Sequence, residues 1–370
     1  MEIFPVSIAT GKAFCNRVVE RKQLKESIKQ GRHTVVMATR RYGKTSLINQ
    51  VLLELGLPYA IMELTMAVSI EDMERIIIKY IGDLLDSILP KTTKAKQRIL
   101  KLFKWLNPEI VLTVSGQKLT FHPERSKLTA VENISEMLKK LDDAAVLAKK
   151  RVVVVMDEFQ QVSEIQNHPL EAAIRHAMQY SKLVSYVFSG SHRHMLQDMF
   201  NSKNRPFYNS CEIMKIERIS REDYVYFIQH AAQEKWHKPL SDQVLEVIFN
   251  LSEFHPSFVN RICGHFWLLN EFPTVESIKK YWETFIDSRH AEFTEDILAL
   301  SKNQRKVLRY LACHPTTSPS GQEVCRETGL PEASVRQSVR KLLLMDYVFK
   351  NREGVIGVLD PAFRDFIKSL

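Results

Sequence analysis

Cysteine is scarce in this sequence and unpatterned where it occurs. The five cysteines, at 15, 211, 263, 313 and 325, form no CxxC pair, and their odd number argues against a disulfide framework. They read as small core or surface residues of a reducing compartment. Long apolar runs are missing as well: nothing approaches the roughly 18–20 residues of a membrane span. The opening Met-Glu-Ile-Phe-Pro-Val-Ser-Ile-Ala-Thr has neither a basic start nor an apolar stretch, so it does not read as a signal peptide. No membrane association and a cytoplasmic location are expected. Acidic charge is in deficit, leaving a formal net charge of +9.

That deficit is uneven. Residues 297–370 hold 12 Lys/Arg against 7 Asp/Glu, whereas the rest of the chain holds 40 against 36. A basic C-terminal unit favours a polyanionic partner, although charge alone says nothing about sequence recognition. At 370 residues the chain exceeds one ordinary domain, and two or three are expected.

What the sequence does contain is a phosphate-binding pattern. Thr34 to Met37 is a short β-branched run that reads as a buried strand. Ala38-Thr39-Arg40-Arg41-Tyr42-Gly43-Lys44-Thr45 follows, and then a helical pattern from Ser46 to Leu55. Strand, loop and helix in this order are the context of a P-loop. N–H groups at a helix start have no intrahelical partners and carry the positive end of the dipole, so they wrap an anion. Lys44 adds a mobile charge for β- and γ-phosphates, and the Thr45 hydroxyl can ligate Mg²⁺. The usual first glycine is replaced by Ala38, and alanine is disfavoured at positive φ.

A second landmark lies about 110 residues downstream, at Arg151-Val-Val-Val-Val-Met-Asp-Glu-Phe. Four consecutive valines fit a strand buried on both faces of a parallel sheet. Asp157 and Glu158 then sit at its carboxyl end, where open α/β sheets bind ligands. Asp157 can hold Mg²⁺ through water, and Glu158 can polarise the attacking water as a general base. Lys182-Leu-Val-Ser-Tyr-Val-Phe-Ser-Gly-Ser is another apolar strand with Ser189 and Ser191 at its polar end. If it lies beside the strand of Asp157, the Ser189 hydroxyl reaches the γ-phosphate or the attacking water. Residues His192 to Phe207 read as a mobile loop carrying Arg205, an arginine suited to stabilising developing charge in cis or across a subunit boundary.

Other elements fill the frame. Residues 14–30 suggest a helix with Val18, Leu24 and Ile28 on one face, ended by Gly31. Tyr59–Leu64 reads as a strand, and a helix from about Ser69 to Leu89 has cap chemistry in Ser69 and Glu71-Asp72. Lys91 to Lys104 carries six basic residues and no acidic one, a solvated helix face or a polyanion contact. Ile110 to His122 alternates around Ser115-Gly116-Gln117 and reads as an inserted β-hairpin, about 109–122. A helix from about Ala130 to Lys149 follows, then one at about Leu170–Tyr180, and Glu212 to Ile219 makes a fifth strand. From Ser220 to about Ser288 the pattern is helical, over Glu222–Glu234, Ser241–Leu251, His255 or Pro256 to Leu269 and Val275–Asp287, with Ser220 and Ser241 as caps and Arg261 on the third helix.

The last unit begins near Leu298. Two helical patterns, Asn303–Ala312 and Ser320–Thr328, the turn Gly329-Leu-Pro, a third helix Glu332–Asp346 and a hairpin turning near Gly354 read as a winged helix-turn-helix. On the third helix Val335, Val339 and Leu342 line one face. Ser334, Arg336, Gln337, Arg340 and Lys341 lie on another, suited to phosphate and base-edge contacts. Winged helices also serve as protein adaptors, so DNA and protein partners both stay open.

Assembled, these motifs resemble the prokaryotic AAA+/STAND-type ATPases over most of the chain. Phe14-x-x-Arg17-x-x-Glu20-x-x-x-Leu24 is similar to the family's opening box, which packs near the adenine. Thr39-Arg-Arg-Tyr-Gly-Lys-Thr-Ser-Leu resembles its P-loop, with Arg41 and Ser46 at matching places. Val155-Met-Asp-Glu-Phe-Gln is similar to its Walker B, and Phe188-Ser-Gly-Ser to the strand bearing its sensor-1 position. Glu253-Phe-His-Pro-Ser-Phe matches a Gly-His-Pro motif of the helical lid, with Phe254 in place of glycine and His255 as the nucleotide sensor. The resemblance implies ATP, and no guanine-reading Asn-Lys-x-Asp string is present.

The expected fold is therefore an α/β P-loop NTPase, a parallel sheet flanked by helices, over residues 1–219. A helical lid over 220–296 and a winged helix over 297–370 complete it. The expected activity is ATP binding and slow or partner-stimulated hydrolysis, coupled to a DNA or protein output. The alternative is a DNA-binding regulator or an oligomerising scaffold in which ATP is a structural ligand or a timer. The expected nucleotide contacts are Arg17, Arg40, Arg41, Tyr42, Gly43, Lys44, Thr45, Ser46 and His255. Thr45 and Asp157 take Mg²⁺, and Lys44, Glu158, Ser189 and Arg205 carry the chemistry.

Overall fold

The computed structural model describes residues 2–90, 92–113, 116–165, 168–351 and 353–370. They divide into two compact units. One is Arg17–Glu217; the other is Arg218–Leu370 together with the N-terminal residues up to Asn16.

In the unit Arg17–Glu217, β1 (Thr34–Ala38) and β2 (Tyr59–Glu63) precede an antiparallel hairpin of β3 (Glu109–Thr113) and β4 (Gly116–Thr120). Then come β5 (Val152–Asp157), β6 (Val184–Gly190) and β7 (Glu212–Ile216). Five of these strands form one parallel sheet in the order β2-β5-β6-β1-β7. The strands β1 and β6 are buried throughout, and β5 is buried up to Met156. Parallel strands covered on both faces by helices need apolar residues at every position, which is why the valine run carries no alternation. The strand of Ser189 does lie beside that of Asp157, and it separates that strand from the P-loop strand.

Helix ends follow their capping residues. Ser69 and Asp72 form a reciprocal capping box at the start of Ile70–Ile88, and Thr129 and Glu132 form one at the start of Ala130–Ala148. The first helix starts at Val18, not at Phe14, because Asn16 and Arg17 take left-handed φ values of 45° and 55°. Leu24 and Ile28 are buried, but Val18 is 61 % exposed and does not belong to the apolar face. Helix Thr93–Lys101 leaves Lys94, Arg98 and Lys101 exposed while Ile99 is buried, so this basic stretch is an exposed helix face. Lys91 of that run and Ser115 of the hairpin turn lie outside the described residues. Part of the segment after Ser191 is a helix, Arg193–Asn201.

The other unit has the helices Arg221–Trp236, Asp242–Ser252, Pro256–Leu269 and Val275–Ser288, close to expectation, with Ser220 and Ser241 as N-caps. A further helix, His290–Ala299, was not foreseen. The N-terminal segment packs here: Phe4 makes edge contacts to Phe227 and Trp267, and Asn260 Nδ2 donates to Pro5 O at 2.8 Å. Gly264 is required by this approach, since a Cβ there would lie 2.8 Å from Phe4 O.

Helices Lys302–Cys313, Gln322–Thr328 and Glu332–Leu344 are followed by the antiparallel pair β8 (Val348–Lys350) and β9 (Ile356–Val358). This is the element order of a winged helix-turn-helix. Val335, Val339 and Leu342 are buried, and Arg336, Gln337, Arg340 and Lys341 are exposed. A last helix, Pro361–Ser369, packs Phe363 and Phe366 on Phe293. None of the five cysteines is disulfide-bonded, and no helix among the described residues is long and apolar enough to cross a membrane.

Candidate active site

The loop from Thr39 to Gly43 joins β1 to the helix Lys44–Leu55. Its turn depends on left-handed residues, Arg41 at φ +63° and Gly43 at φ +84°. Gly43 is the N-cap, so Lys44 and Thr45 open the helix and their N–H groups have no intrahelical acceptor. Tyr42 and Lys44 are buried, Arg40 and Arg41 are exposed, and Ser46 is half-buried. Arg17, itself 6 % exposed, donates from Nη2 to Tyr42 O at 2.9 Å and to Glu217 O at 2.8 Å. The arginine of the opening box therefore braces the P-loop backbone.

The carboxyl ends of β5 and β6 bring the acidic pair to the start of this helix. Thr45 Oγ1 donates to Asp157 Oδ2 at 3.2 Å, and Ser189 Oγ donates to Asp157 Oδ1 at 2.6 Å. The Glu158 N–H also donates to Asp157 Oδ1, at 3.0 Å. Glu158 takes a left-handed φ of +52°, a conformation that costs a non-glycine residue about 1–2 kcal/mol. Its carboxylate is held by a single oxygen. Oε2 accepts from Gln160 Nε2 at 2.6 Å, from Ser191 Oγ at 2.7 Å and from Ser191 N at 3.0 Å. Burial pushes the Glu158 carboxyl up, but the bonds from Gln160 and Ser191 and the charge of Lys44 outweigh it and hold the group below its ordinary range. It is anionic at neutral pH, with Oε1 left for a further donor.

Gln160 and Gly190 were not singled out from the sequence. Gly190 gives room: a Cβ there would lie 2.1 Å from Gln160 Oε1. The signal was present in Phe188-Ser-Gly-Ser, but only strand adjacency shows what the glycine accommodates.

Thr45 and Asp157 present adjacent oxygen donors. Among the described residues no cluster of three His, Cys, Asp or Glu could enclose a metal by itself. A hard donor set of one hydroxyl and one carboxylate fits Mg²⁺, which keeps water and phosphate oxygens in its remaining positions.

Two further expected site residues have partners of their own. Arg205 is in the same unit but engaged: it pairs with the buried Glu171 at 3.0 Å and with Asp198 at 3.5 Å, and donates to Ser163 Oγ at 2.6 Å. His255 belongs to the other unit, where it caps the helix Pro256–Leu269 by accepting from Ser257 N at 3.3 Å.

No protein-family model matches the chain, and no curated protein sequence matches it. Solved structures do. The Walker-type ATPase PABY2304 of Pyrococcus abyssi aligns over 99 % of both chains with a TM-score of 0.70 at 17 % identity. The ORC2 protein of Aeropyrum pernix, in its ADPNP-ADP complexes, aligns over 99 % of this chain and 97 % of its own, with a TM-score of 0.55 at 12 % identity. At such identities the likeness concerns architecture. The chain has the fold of AAA+ P-loop ATPases, with a helical region and a winged helix-turn-helix following the parallel sheet.

Proposed function

We propose that this protein is an ATP-binding and ATP-hydrolysing switch whose nucleotide state is relayed through a helical lid, residues 220–296, to a winged helix, residues 297–370, that engages DNA. The observation that carries the hydrolytic part is the Glu158 carboxylate, held by three donors on one oxygen beside the Thr45–Asp157 pair. The loop N–H groups and Lys44 bind the phosphates, and Arg17 keeps the loop in shape. Thr45 and Asp157 hold Mg²⁺, which supplies charge neutralisation at the β- and γ-phosphates. Ser189 orients Asp157. Glu158, fixed through Oε2, uses Oε1 to accept the proton of the attacking water. The nucleotide-bound Aeropyrum pernix structure of the same architecture supports the choice of ATP, and so does the resemblance of the motifs.

The test is a pair of variants. Lys44→Ala should abolish ATP binding. Glu158→Gln should keep binding and lower the turnover number by roughly 10²–10⁴-fold, the usual worth of a general base. Unchanged phosphate release in Glu158→Gln would remove Glu158 from this role.

The DNA part rests on Arg336, Gln337, Arg340 and Lys341, exposed on the third helix of the winged unit. Arg336→Ala with Arg340→Ala should weaken duplex binding at least tenfold and lower the slope of log affinity against log salt by about 2. Equal affinity would assign the winged unit to a protein partner or a second copy of the chain.

A further inference from the structure

The geometry points to Arg193 as a further residue of the nucleotide site, a guanidinium in cis that binds the terminal phosphate and stabilises the charge developing there. The inference rests on the ATP-hydrolysing reading above and adds a residue to it. The five residues Ser189–Arg193 leave the end of β6, which lies between the P-loop strand and the strand of the acidic pair. They meet the site three times. Ser189 Oγ holds Asp157, Ser191 holds Glu158, and Arg193 Nη1 donates to Thr39 Oγ1 at 3.3 Å. Thr39 is the first residue of the loop after Ala38. A single segment thus positions the general base, orients the metal-binding carboxylate and places a cation against the P-loop.

The chemistry of that cation is unusual for its surroundings. Arg193 is half-buried, yet among the described residues it forms no ion pair with any carboxylate. A half-buried charge is costly unless an anion meets it. Guanidinium carries five N–H donors in a planar fork, and the contact to Thr39 uses one of them. The rest match the oxygens of a phosphate, which such a fork binds in bidentate fashion. Arg205 offers the opposite case, since its charge is already met by Glu171 and Asp198. Of Arg193 and Arg205, both downstream of β6, Arg193 has the hydrogen-bonding capacity left for substrate.

The alternative is that Arg193 merely braces the loop through Thr39, and two substitutions in the full-length chain separate these roles. Arg193→Gln keeps an N–H donor for Thr39 and removes the charge. Thr39→Val removes the acceptor and keeps the charge. Turnover is read by phosphate release, and affinity by titration with ADP and with a non-hydrolysable ATP analogue. Arg193→Gln should lower turnover by roughly 10²–10³-fold, as loss of one preorganised charge-stabilising donor does. It should weaken the analogue about tenfold and leave ADP within about twofold, because only the terminal phosphate loses a contact. Thr39→Val sits in the phosphate-binding loop and should lower turnover too, but by less than about tenfold and without distinguishing the analogue from ADP, as loss of one neutral hydrogen bond allows. Arg193→Lys, which restores charge without the fork, should recover part of the analogue affinity. If Thr39→Val reproduces the loss seen in Arg193→Gln, Arg193 is a brace and the inference falls. Full turnover in Arg193→Gln alongside an inactive Glu158→Gln overturns it alone, whereas full turnover in both overturns the hydrolytic reading as well.

Discussion

Two turns in this molecule carry a larger residue where the family pattern places glycine, and they accommodate it in different ways. At the P-loop, Ala38 is the last residue of β1, fully buried and paired in register with Ile216. Its φ is not positive; the left-handed positions of that loop fall later, at Arg41 and Gly43. The methyl group therefore meets no backbone penalty. At the lid turn, Phe254 does take a left-handed φ of +58°, directly after Glu253 at +48°. Two such non-glycine residues in succession cost about 1–2 kcal/mol each. Their neighbours hold them in place. Glu253 receives Arg218 at 2.8 Å on its carboxylate and 2.7 Å on its carbonyl, and Arg364 binds the other carboxylate oxygen. Phe254 stacks on Phe249 with ring centroids 4.8 Å apart. Arg218 also lies over the Phe349 ring of β8 at 4.5 Å, so the strained turn sits where the lid helices meet the winged unit. A motif position demands glycine either by a positive φ or, as at Gly190, by close approach of a neighbour, and each has to be judged on both.

The sharpest way to break this comparison is at the clamp. Glu253→Ala leaves Arg218 without its carboxylate, while Arg364 keeps Asp365 at 2.7 Å. The expected loss is about 2 kcal/mol, below that of a fully buried pair because Arg364 retains a partner. Urea unfolding of the full-length chain measures it, and a loss under about 0.5 kcal/mol, the level of an ordinary surface change, would show that the clamp does not secure the turn. Ala38→Gly should destabilise by about 0.5–1 kcal/mol through added strand entropy and leave ATP affinity unchanged. A tenfold gain in affinity would mean that the methyl obstructs the phosphates after all. Phe254→Gly should change stability least, within about 1 kcal/mol, since relief of the left-handed strain offsets the lost ring contact. A loss beyond about 2 kcal/mol would mean that packing outweighs strain there.

Much of the frame was legible because it rests on local signals. The valine run, the caps at Ser69, Ser220 and Ser241, and the turn after Thr328 all mark their elements within a few residues. The misreadings have local causes as well. Val18 fits a helical period, but the left-handed Asn16 and Arg17 start the helix later and turn that residue outward. The segment 193–201 follows a Ser-Gly-Ser turn and mixes Arg193, His194, Gln197 and Asp198 with apolar residues, and it forms a helix whose Leu196, Met199 and Phe200 are buried. The helices His290–Ala299 and Pro361–Ser369 were overlooked because each is short, and it is the packing of Phe293 against Phe363 and Phe366 that secures them.

By itself the sequence determined the kinds of chemistry present: a loop of N–H groups with a lysine, a hydroxyl for a metal, two carboxylates at a strand end and a basic helix near the C-terminus. These follow from residue types at short spacing, where backbone geometry leaves few choices. Only the tertiary structure decided which groups meet. Insertion of β6 between β1 and β5 brings Ser191 to Glu158 and Arg193 to Thr39, contacts that span 33 and 154 residues along the chain. Strand order is set by the packing of buried apolar faces over the whole sheet, and no local pattern encodes it.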